Sequence, residues 1–339
     1  MHYKISYILW DITHRCSLKC RHCRASAPFA FEELSTEDGK SLLDQLEELG
    51  VKTLAISGGD PLLRNDLPEL IKYATDKGMR VRIQTNGQLI TDELLDKFKK
   101  AGCDEFGIGL DSCKPKNHDW LRNKPGAFEK TITSIKKIKR FGFRLHVEFT
   151  LNPQNKKELS EMIKFCDSLN VNTLFSRCVI PVGRGKDTKL LLSQKEYSNL
   201  LDTLCKEKYV NERLKIASED PLWILTDKKL LKKVLSSHPN ALEGGFISGC
   251  LAGLNMFYIN PAGKVYPCSF INTELGDLKK EKFKDIIRKS DEKIPFMNRN
   301  NLKGKCKTCD LKYLCGGCRA RAFFKFGDYF QEDPMCWKK

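Results

Sequence analysis

The spacing of the cysteines constrains this chain more than any other feature of its sequence. Three of them, Cys16, Cys20 and Cys23, form a C-x3-C-x2-C run just after an apolar, strand-like segment at residues 7–10. Three thiolates at this spacing can hold three irons of a [4Fe–4S] cube and leave the fourth iron open to bind a substrate. Zinc is the alternative, but zinc usually takes a fourth ligand nearby. His22 lies inside the run, where it is poorly placed to complete a tetrahedron.

A second set of cysteines occupies the last ninety residues. Two C-x2-C pairs there are separated by only five residues, whereas the pairs of a zinc ribbon are about 15–20 residues apart, so the spacing disfavours zinc. The segment is rich in Cys, Gly and Lys, and we expect it to fold around metal rather than around an apolar core. The set consists of Cys250, Cys268, Cys306, Cys309, Cys315, Cys318 and Cys336.

Composition limits where such a chain works and what it binds. Fifteen cysteines without an N-terminal signal sequence predict a reducing cytoplasm, and five of them (Cys103, Cys113, Cys166, Cys178, Cys205) are expected to be ordinary small core residues. No apolar run approaches the roughly 20 residues of a membrane span, so no membrane partner is expected. The formal charge of +16 favours an acidic partner. Nucleic acid is disfavoured, because the lysines are spread over predicted helices with few aromatic residues between them.

The hydrophobic pattern predicts an α/β fold in the first half of the chain. Alternating strands and helices imply a parallel sheet with right-handed crossovers, whose sites gather at the C-terminal ends of the strands. Residues 187–248 show helices without strands, at about 193–206 and 225–235. We therefore predict a barrel-like unit at 1–187, a helical bridge at 188–248 and a metal-organised domain at 249–339. The predicted strands are 5–11, 53–57, 80–85, 105–110, 144–150 and 172–180; the predicted helices are 37–49, 67–77, 91–101, 127–141 and 155–169.

A glycine-rich turn gives the cysteine run a specific context. Ser57-Gly58-Gly59-Asp60-Pro61 follows the second predicted strand, and two glycines let a small ligand approach the backbone closely. With the three-cysteine run before it, this turn makes residues 5–186 resemble the radical S-adenosylmethionine (SAM) enzymes. The resemblance implies a partial (β/α)6 TIM-like barrel in which a GGEP turn receives the SAM amino group. Gly58, Gly59 and Pro61 match that turn, while Asp60 replaces the usual Glu.

Further SAM contacts are implied by position in the same family. Asp111 and Ser112 end the fourth strand, where the family often contacts the SAM ribose; capping of a loop is the alternative role for both. Near the sixth strand a basic residue can meet the SAM carboxylate, and an Arg fork suits a carboxylate. Arg177 is favoured over Arg184 for this role. His22 takes the usually aromatic position before the last cluster cysteine and is expected beside adenine.

The C-terminal cysteines resemble the SPASM domain, an extension of radical SAM enzymes that holds up to two auxiliary [4Fe–4S] clusters. By order, the resemblance assigns the outer cluster to Cys306, Cys309, Cys315 and Cys336. The inner cluster then has Cys250, Cys268 and Cys318, with a fourth site that is open or taken by another ligand or by substrate. A single auxiliary cluster is the alternative.

The resemblance also implies the reaction. A radical SAM enzyme of the oxidoreductase or lyase type cleaves SAM with one electron, from a reduced ferredoxin or flavodoxin, to methionine and a 5′-deoxyadenosyl radical. The radical takes hydrogen from an unactivated carbon, and auxiliary clusters can accept an electron from the substrate. The cofactor carries the chemistry, so no catalytic side chain is expected beyond the cluster and SAM site.

Substrate is the least determined property. Residues 20–27, 315–322, 327–329 and 332–334 resemble a SPASM branch that contains both alternative-haem-pathway decarboxylases and peptide maturases. The preferred substrate is an iron-tetrapyrrole propionate that is oxidatively decarboxylated. Crosslinking, thioether formation or epimerisation of a ribosomal peptide is the alternative. A non-catalytic Fe–S electron carrier would need the cysteines but not the Gly58-Gly59 turn.

Overall fold

The computed structural model describes residues 5–25, 32–244 and 246–338. Within them, ten strands form one sheet in the order β10-β9-β8-β1-β2-β3-β4-β5-β6-β7. The strands from β8 through β7 run parallel, as the strand–helix alternation predicts, and β9 and β10 add antiparallel edges. Their bounds are β1 Tyr7–Thr13, β2 Thr53–Gly58, β3 Arg80–Thr85, β4 Glu105–Gly109, β5 Arg144–Leu151, β6 Thr173–Cys178, β7 Lys215–Ser218, β8 Met256–Ile259, β9 Lys264–Tyr266 and β10 Gly276–Asp277.

Helices connect and cover the strands. Several begin with a local cap: Ser35 and Asp38 form a capping box at α1, and Thr91 accepts from the amide of Leu94 at α3. The helices are α1 Thr36–Glu48, α2 Leu67–Asp76, α3 Asp92–Lys100, α4 Pro115–Arg122, α5 Ala127–Arg140, α6 Leu159–Ser168, α7 Gln194–Lys208, α8 Trp223–Thr226, α9 Lys228–Ser237, α10 Phe283–Arg288, α11 Ser290–Lys293, α12 Lys305–Thr308 and α13 Arg319–Phe326. In the described parts of the chain, none of them is long and apolar enough to cross a membrane.

The structure of the bridge region differs from the prediction in one respect. Residues 187–248 were expected to lack strands, but β7 pairs in parallel with β6, with Thr173 opposite Lys215. The strand has only four residues and one large apolar side chain, Ile216, so its alternation is too short to recognise. Helix α4, which starts at Pro115, was also missing from the predicted elements.

The C-terminal segment joins the barrel sheet directly. Strand β8 pairs in parallel with β1, with Tyr7 opposite Met256, and β9 forms a hairpin with β8. The apolar side chains of this segment enter the common core, where Phe257 meets Phe283 edge to face at 5.9 Å. The segment is therefore supported by a shared core as well as by its cysteines.

The two faces of the parallel strands differ sharply. One alternating set, which includes Ile8, Ile83 and Val147, is fully buried under the helices. The other set carries polar side chains and faces the inside of the curved sheet. Tyr7 on β1 interacts electrostatically with Glu148 on β5, four strands away, because the sheet curves round to bring them together.

Candidate active site

The cysteine run lies in the loop after β1, and long-range contacts hold its backbone. The amide of Arg21 donates to Leu121 O at the end of α4 (2.8 Å). From the segment after β6, Arg184 donates through its amide to Cys23 O (2.9 Å) and through Nε to Cys20 O (2.8 Å). The loop is therefore clamped between two distant parts of the barrel, and Arg184 serves its backbone.

The thiols of this loop sit among hydrogen-bond donors. Cys16 Sγ accepts from Leu18 N at 3.4 Å and Asn86 Nδ2 at 3.5 Å, and Arg122 lies 3.9 Å from Cys20 Sγ. Burial raises the pKa of the Cys16 thiol to about 11 and also raises that of Cys20, which Arg122 partly offsets. Thiolates here need positive charge to be stable. Iron supplies it, and the donors suit sulfur ligands that carry negative charge.

The glycine turn packs against this loop so closely that only glycine fits. Gly58 has φ 147°, and a Cβ on it would lie 2.1 Å from Thr13 O. A Cβ on Gly59 would lie 2.2 Å from Arg15 O. The amides of Gly59 and Asp60 donate to Thr13 O and Arg15 O, both at 2.8 Å, and so extend the pairing of β1 with β2. The sequence-predicted turn and cysteine run therefore form one structural unit.

Asp60 supplies an unpaired acceptor at that unit. Its Oδ1 accepts from Leu62 N at 3.2 Å and Thr85 Oγ1 at 3.0 Å, while Oδ2 is buried without a partner among the described residues. Burial raises the pKa of the carboxyl group to about 6. Pro61, also buried, turns the chain away immediately after it. A buried carboxylate oxygen that lacks a donor fits an ammonium such as the SAM amino group.

Asp111 lies behind the cysteine loop at a junction of charges. Its Oδ1 accepts from Thr150 N at 2.9 Å, and its Oδ2 lies 2.7 Å from Arg122 Nη2 and 4.0 Å from His22 Nε2. Although burial opposes ionisation, Arg122 holds the pKa of Asp111 below its usual value. The carboxylate thus joins β4, β5 and α4 around the loop. Its expected contact with the SAM ribose stays a prediction.

His22 and Ser112 occupy different surroundings. Burial lowers the pKa of His22 to about 4, so its ring is neutral, and Nδ1 is buried without a partner in the described chain. A neutral flat ring beside Cys23 suits contact with adenine. Ser112 Oγ bonds to Glu158 and accepts from Lys114 N at 2.8 Å, so its hydroxyl holds the turn just before α4.

Inside the barrel, the predicted Arg177 lies in a cluster with two acidic residues that the sequence analysis did not identify. Arg177 Nη1 lies 3.2 Å from Glu219 Oε2, and its guanidinium is 5.4 Å from the centre of the Phe270 ring. Burial, and then the charge of Glu219, raise the pKa of nearby Glu148 to about 7. The sequence could have indicated Glu148, because this residue alternates with buried Val147 on the same strand. It gave no such indication for Glu219, which follows the unrecognised strand β7.

The four cysteines assigned to the outer cluster line one pocket that is open to solvent and has about 300 Å³ of empty space, together with Gly316, Gly317, Asp333 and leucines of the bridge. Among the described residues, no three His, Cys, Asp or Glu side chains are grouped as a single metal ion requires. An open volume ringed by thiols suits a larger group such as a cubane cluster. These four cysteines are Cys306, Cys309, Cys315 and Cys336.

The inner set lies against the outer one. The amide of Cys250 donates to Cys315 O at 3.1 Å, and the Cys250 thiol acts electrostatically on both Cys268 and Cys318. Arg299, which the sequence analysis missed, is buried beside them and donates through Nη2 to Cys250 O at 2.5 Å. Its Nε and Nη1 have no partner among the described residues. Unpaired buried N–H groups of a cation fit the sulfides and thiolates of a cluster.

The five remaining cysteines are divided. Cys103, Cys166 and Cys178 are buried, as expected of small core residues, whereas Cys113 and Cys205 are half-buried.

Comparison with known proteins defines the class. The sequence model of the Radical SAM superfamily matches residues 10–166, and that of the SPASM iron–sulfur cluster-binding domain matches residues 250–310. The chain is 30% identical to AdoMet-dependent heme synthase of Methanosarcina barkeri, over 97% of this chain and 95% of that protein. It is 27% identical to PqqA peptide cyclase of Granulibacter bethesdensis, over 97% of this chain and 86% of that protein.

A solved structure shares the fold of this chain. SuiB of Streptococcus suis bound to S-adenosylmethionine superposes with a TM-score of 0.80 at 18% identity, covering 99% of this chain and 78% of that one. Fold, cysteine loop and glycine turn together define a radical SAM enzyme. More narrowly, the chain belongs to the radical SAM superfamily members that carry a SPASM domain, and its cofactors are [4Fe–4S] clusters and SAM.

Proposed function

We propose that this enzyme oxidatively decarboxylates propionate side chains of an iron tetrapyrrole. The observation that carries the proposal is the 30% identity to AdoMet-dependent heme synthase across nearly the full length of both chains. The basic charge of the protein, +16, is also consistent with a substrate rich in carboxylates.

The residues of the barrel take the following roles in this proposal. Cys16, Cys20 and Cys23 hold the cluster. The Gly58-Gly59 turn packs against their loop and so sets the position of Asp60 relative to that loop. Asp60 accepts a hydrogen bond from the SAM ammonium through its unpaired Oδ2. When bound, cluster and SAM supply the 5′-deoxyadenosyl radical that takes a hydrogen atom from the substrate carbon.

The polar interior of the barrel completes the proposed SAM site. Arg177 binds the SAM carboxylate. Its partner Glu219 is half-exposed, so the Arg177 guanidinium stays accessible to that carboxylate. His22 lies beside adenine, and Asp111 and Ser112 stand near the ribose. Replacing Arg177 by Gln should raise the KM for SAM by about ten-fold. Arg213→Gln, which breaks an exposed pair with Asp167, is the control and should leave it unchanged.

Auxiliary clusters held by the C-terminal cysteines accept the electron that leaves the substrate. We further propose a reduced ferredoxin or flavodoxin as electron donor, a cytoplasmic location and no role for nucleic acid. These proposals rest on the composition of the chain and on the redox demand of the chemistry.

Modification of a ribosomal peptide is the second candidate function. It is favoured by the similarity to PqqA peptide cyclase over 97% of this chain. A non-catalytic Fe–S carrier is disfavoured, because such a protein has no need of a glycine turn packed against a three-cysteine loop.

The test is an anaerobic assay of the reconstituted enzyme with SAM, dithionite and iron-coproporphyrin III. We expect 5′-deoxyadenosine to form in proportion to vinyl groups, with carbon dioxide released, as mass spectrometry of the porphyrin would show. Slow formation of 5′-deoxyadenosine that is independent of porphyrin, without a change in porphyrin mass, would reject this substrate.

A further inference from the structure

Helix α13 ends in a group of exposed aromatic side chains. Phe323, Phe324 and Phe326 are 45%, 40% and 45% exposed, and exposed Lys325 lies between them. We call these four residues the α13 patch. They include three of the six large apolar side chains that are exposed in the described residues. Adjacent exposed aromatic residues mark a surface that binds a partner.

The α13 patch is connected through Tyr329 and Phe330 to the loop that carries Cys306, a predicted ligand of the outer cluster. Tyr329 stacks on Phe323 with ring centres 4.3 Å apart, and the segment after it binds the loop that contains Cys306. In that loop the Lys303 amide donates to Phe330 O at 2.8 Å.

The helix itself links the patch to a second predicted ligand. Cys318 immediately precedes α13, whose eight residues span about 12 Å. The α13 patch is therefore within one helix length of Cys318 and is connected by hydrogen bonds to the loop of the outer cluster.

Four lysines and two carboxylates lie on the patch, on the cluster loop and on the segment after α13. Lys325, Lys303, Lys305 and Lys307 are all exposed. Asp328 pairs with Lys303 at 2.9 Å and Glu332 accepts from the Lys305 amide at 2.5 Å, so the group keeps a net positive charge. An apolar centre with a positively charged rim suits a protein whose own contact surface is acidic. Because the patch is connected to a predicted cluster loop, we expect that partner to be a redox protein.

We propose that the α13 patch is the docking surface for a small acidic one-electron carrier protein, which delivers an electron to the outer auxiliary cluster. This inference rests on the proposed assignment of the outer cluster and is independent of the substrate. In the transfer, a flavodoxin hydroquinone loses one electron and becomes a semiquinone. The outer [4Fe–4S]2+ cluster gains that electron, becomes [4Fe–4S]+ and passes the electron on to the first cluster, where SAM is cleaved. The outer cluster is then oxidised again and can accept the electron that later leaves the substrate, and the electron transfers themselves make or break no bond.

The experiment compares two sources of electrons in the reconstituted enzyme. With reduced flavodoxin at low salt, Lys325→Glu and the double variant Phe324→Ser/Phe326→Ser should form 5′-deoxyadenosine about five-fold or more slowly than wild type. With dithionite, which needs no docking surface, both variants should match wild type. Lys228→Glu on α9 and Val210→Ser, at a position 75% exposed, are the charge and apolar controls and should change neither rate.

Every other result counts against the proposal. Unchanged flavodoxin-driven rates in both variants would overturn it. So would a wild-type dimer that the variants lose, because the occupant would then be a second copy of the chain. Weaker binding of iron-coproporphyrin III by the variants, seen in its absorption spectrum, would assign the surface to substrate instead. Failure of the porphyrin assay would leave this test valid, because formation of 5′-deoxyadenosine is its readout.

Discussion

Arg321 of α13 forms a bidentate ion pair with Asp220, which follows β7. Arg321 Nη1 donates to Asp220 Oδ2 at 2.5 Å, and Nη2 donates to Oδ1 at 2.9 Å. It also donates through Nη2 to Asp333 Oδ2 at 2.6 Å, and Nη1 lies 3.3 Å from Cys178 Sγ. Asp333 Oδ2 in turn accepts from the amide of Cys318 at 2.7 Å. One buried cation therefore ties a predicted cluster ligand to the far edge of the barrel.

Breaking this pair should cost much of the stability of the protein. Arg321→Met leaves two buried carboxylates without their cation. Asp220→Asn removes one of the two negative charges that balance the Arg321 cation. A buried pair that loses one member typically costs about 3–5 kcal/mol, so thermal unfolding of the reconstituted protein should begin far below wild type. Arg213→Met, which removes an exposed ion pair, should cost under about 1 kcal/mol. Equal losses in the two arginine variants would contradict the assigned role.

Gly59→Ala should disable the first cluster site. Its Cβ would lie 2.2 Å from Arg15 O and 2.5 Å from His14 O, so the cysteine loop has to move. We expect formation of 5′-deoxyadenosine to fall on the order of 100-fold, because displacement of reacting groups by about 1 Å has such effects. Gly78→Ala places a Cβ at a left-handed φ of 74° but in open space. It should lose stability, on the order of 1 kcal/mol, and keep its activity. Full activity of Gly59→Ala would refute the close packing.

Stability should fall with rising pH around neutrality because of Glu148. Its folded-state pKa, about 7, lies above the ordinary value of 4.5. The folded protein therefore retains this proton after the unfolded chain has lost it. The resulting stabilisation is present at low pH and is lost as pH rises through 7, by roughly 1 kcal/mol between pH 6 and 8.

Thermal unfolding at pH 6 and pH 8 tests this. Glu148→Gln should flatten the difference between the two temperatures. Glu93→Gln, where Lys97 lowers the pKa of the exposed carboxyl group, should preserve it. An unchanged pH dependence in Glu148→Gln would show that another group titrates.

The two cysteine sets should be separable by iron content. The reconstituted wild type should contain about 8–12 irons in two or three clusters. Replacing Cys16, Cys20 and Cys23 together by Ala should abolish 5′-deoxyadenosine and retain iron at the C-terminal sites. One equivalent of zinc without visible absorbance, or full SAM cleavage by the triple variant, would contradict the assignment.

The cysteines of the outer cluster should be needed for formation of the product rather than for cleavage of SAM. With dithionite as the reductant, Cys309→Ala with Cys315→Ala should spare some uncoupled SAM cleavage and eliminate the final product, since an electron from the substrate then has no acceptor. Circular dichroism must first show that the variant folds, because loss of a cluster can unfold a segment that metal organises. Normal turnover by a folded variant would make the outer cluster structural.

The motifs of the site could be predicted from the sequence because each motif is one short stretch of the chain. Cys16, Cys20 and Cys23 fall within eight residues, and Gly58 to Pro61 are consecutive, so chain connectivity fixes their spacing before any tertiary contact forms. The parallel sheet was readable for a similar reason, since short buried strands such as Thr53–Gly58 alternate along the chain with amphipathic helices such as Thr36–Glu48.

What surrounds those motifs was decided by tertiary structure alone. No local pattern indicates that Arg184 would hold Cys20 O, that Arg299 would lie beside Cys250, or that β8 would pair with β1 across more than two hundred residues. Strand β7 was missed because four residues carry too little alternation, and with it went Glu219 and Asp220. Long-range pairs depend on how the sheet curves and on which buried charges must find partners. Those conditions exist only once the chain has folded.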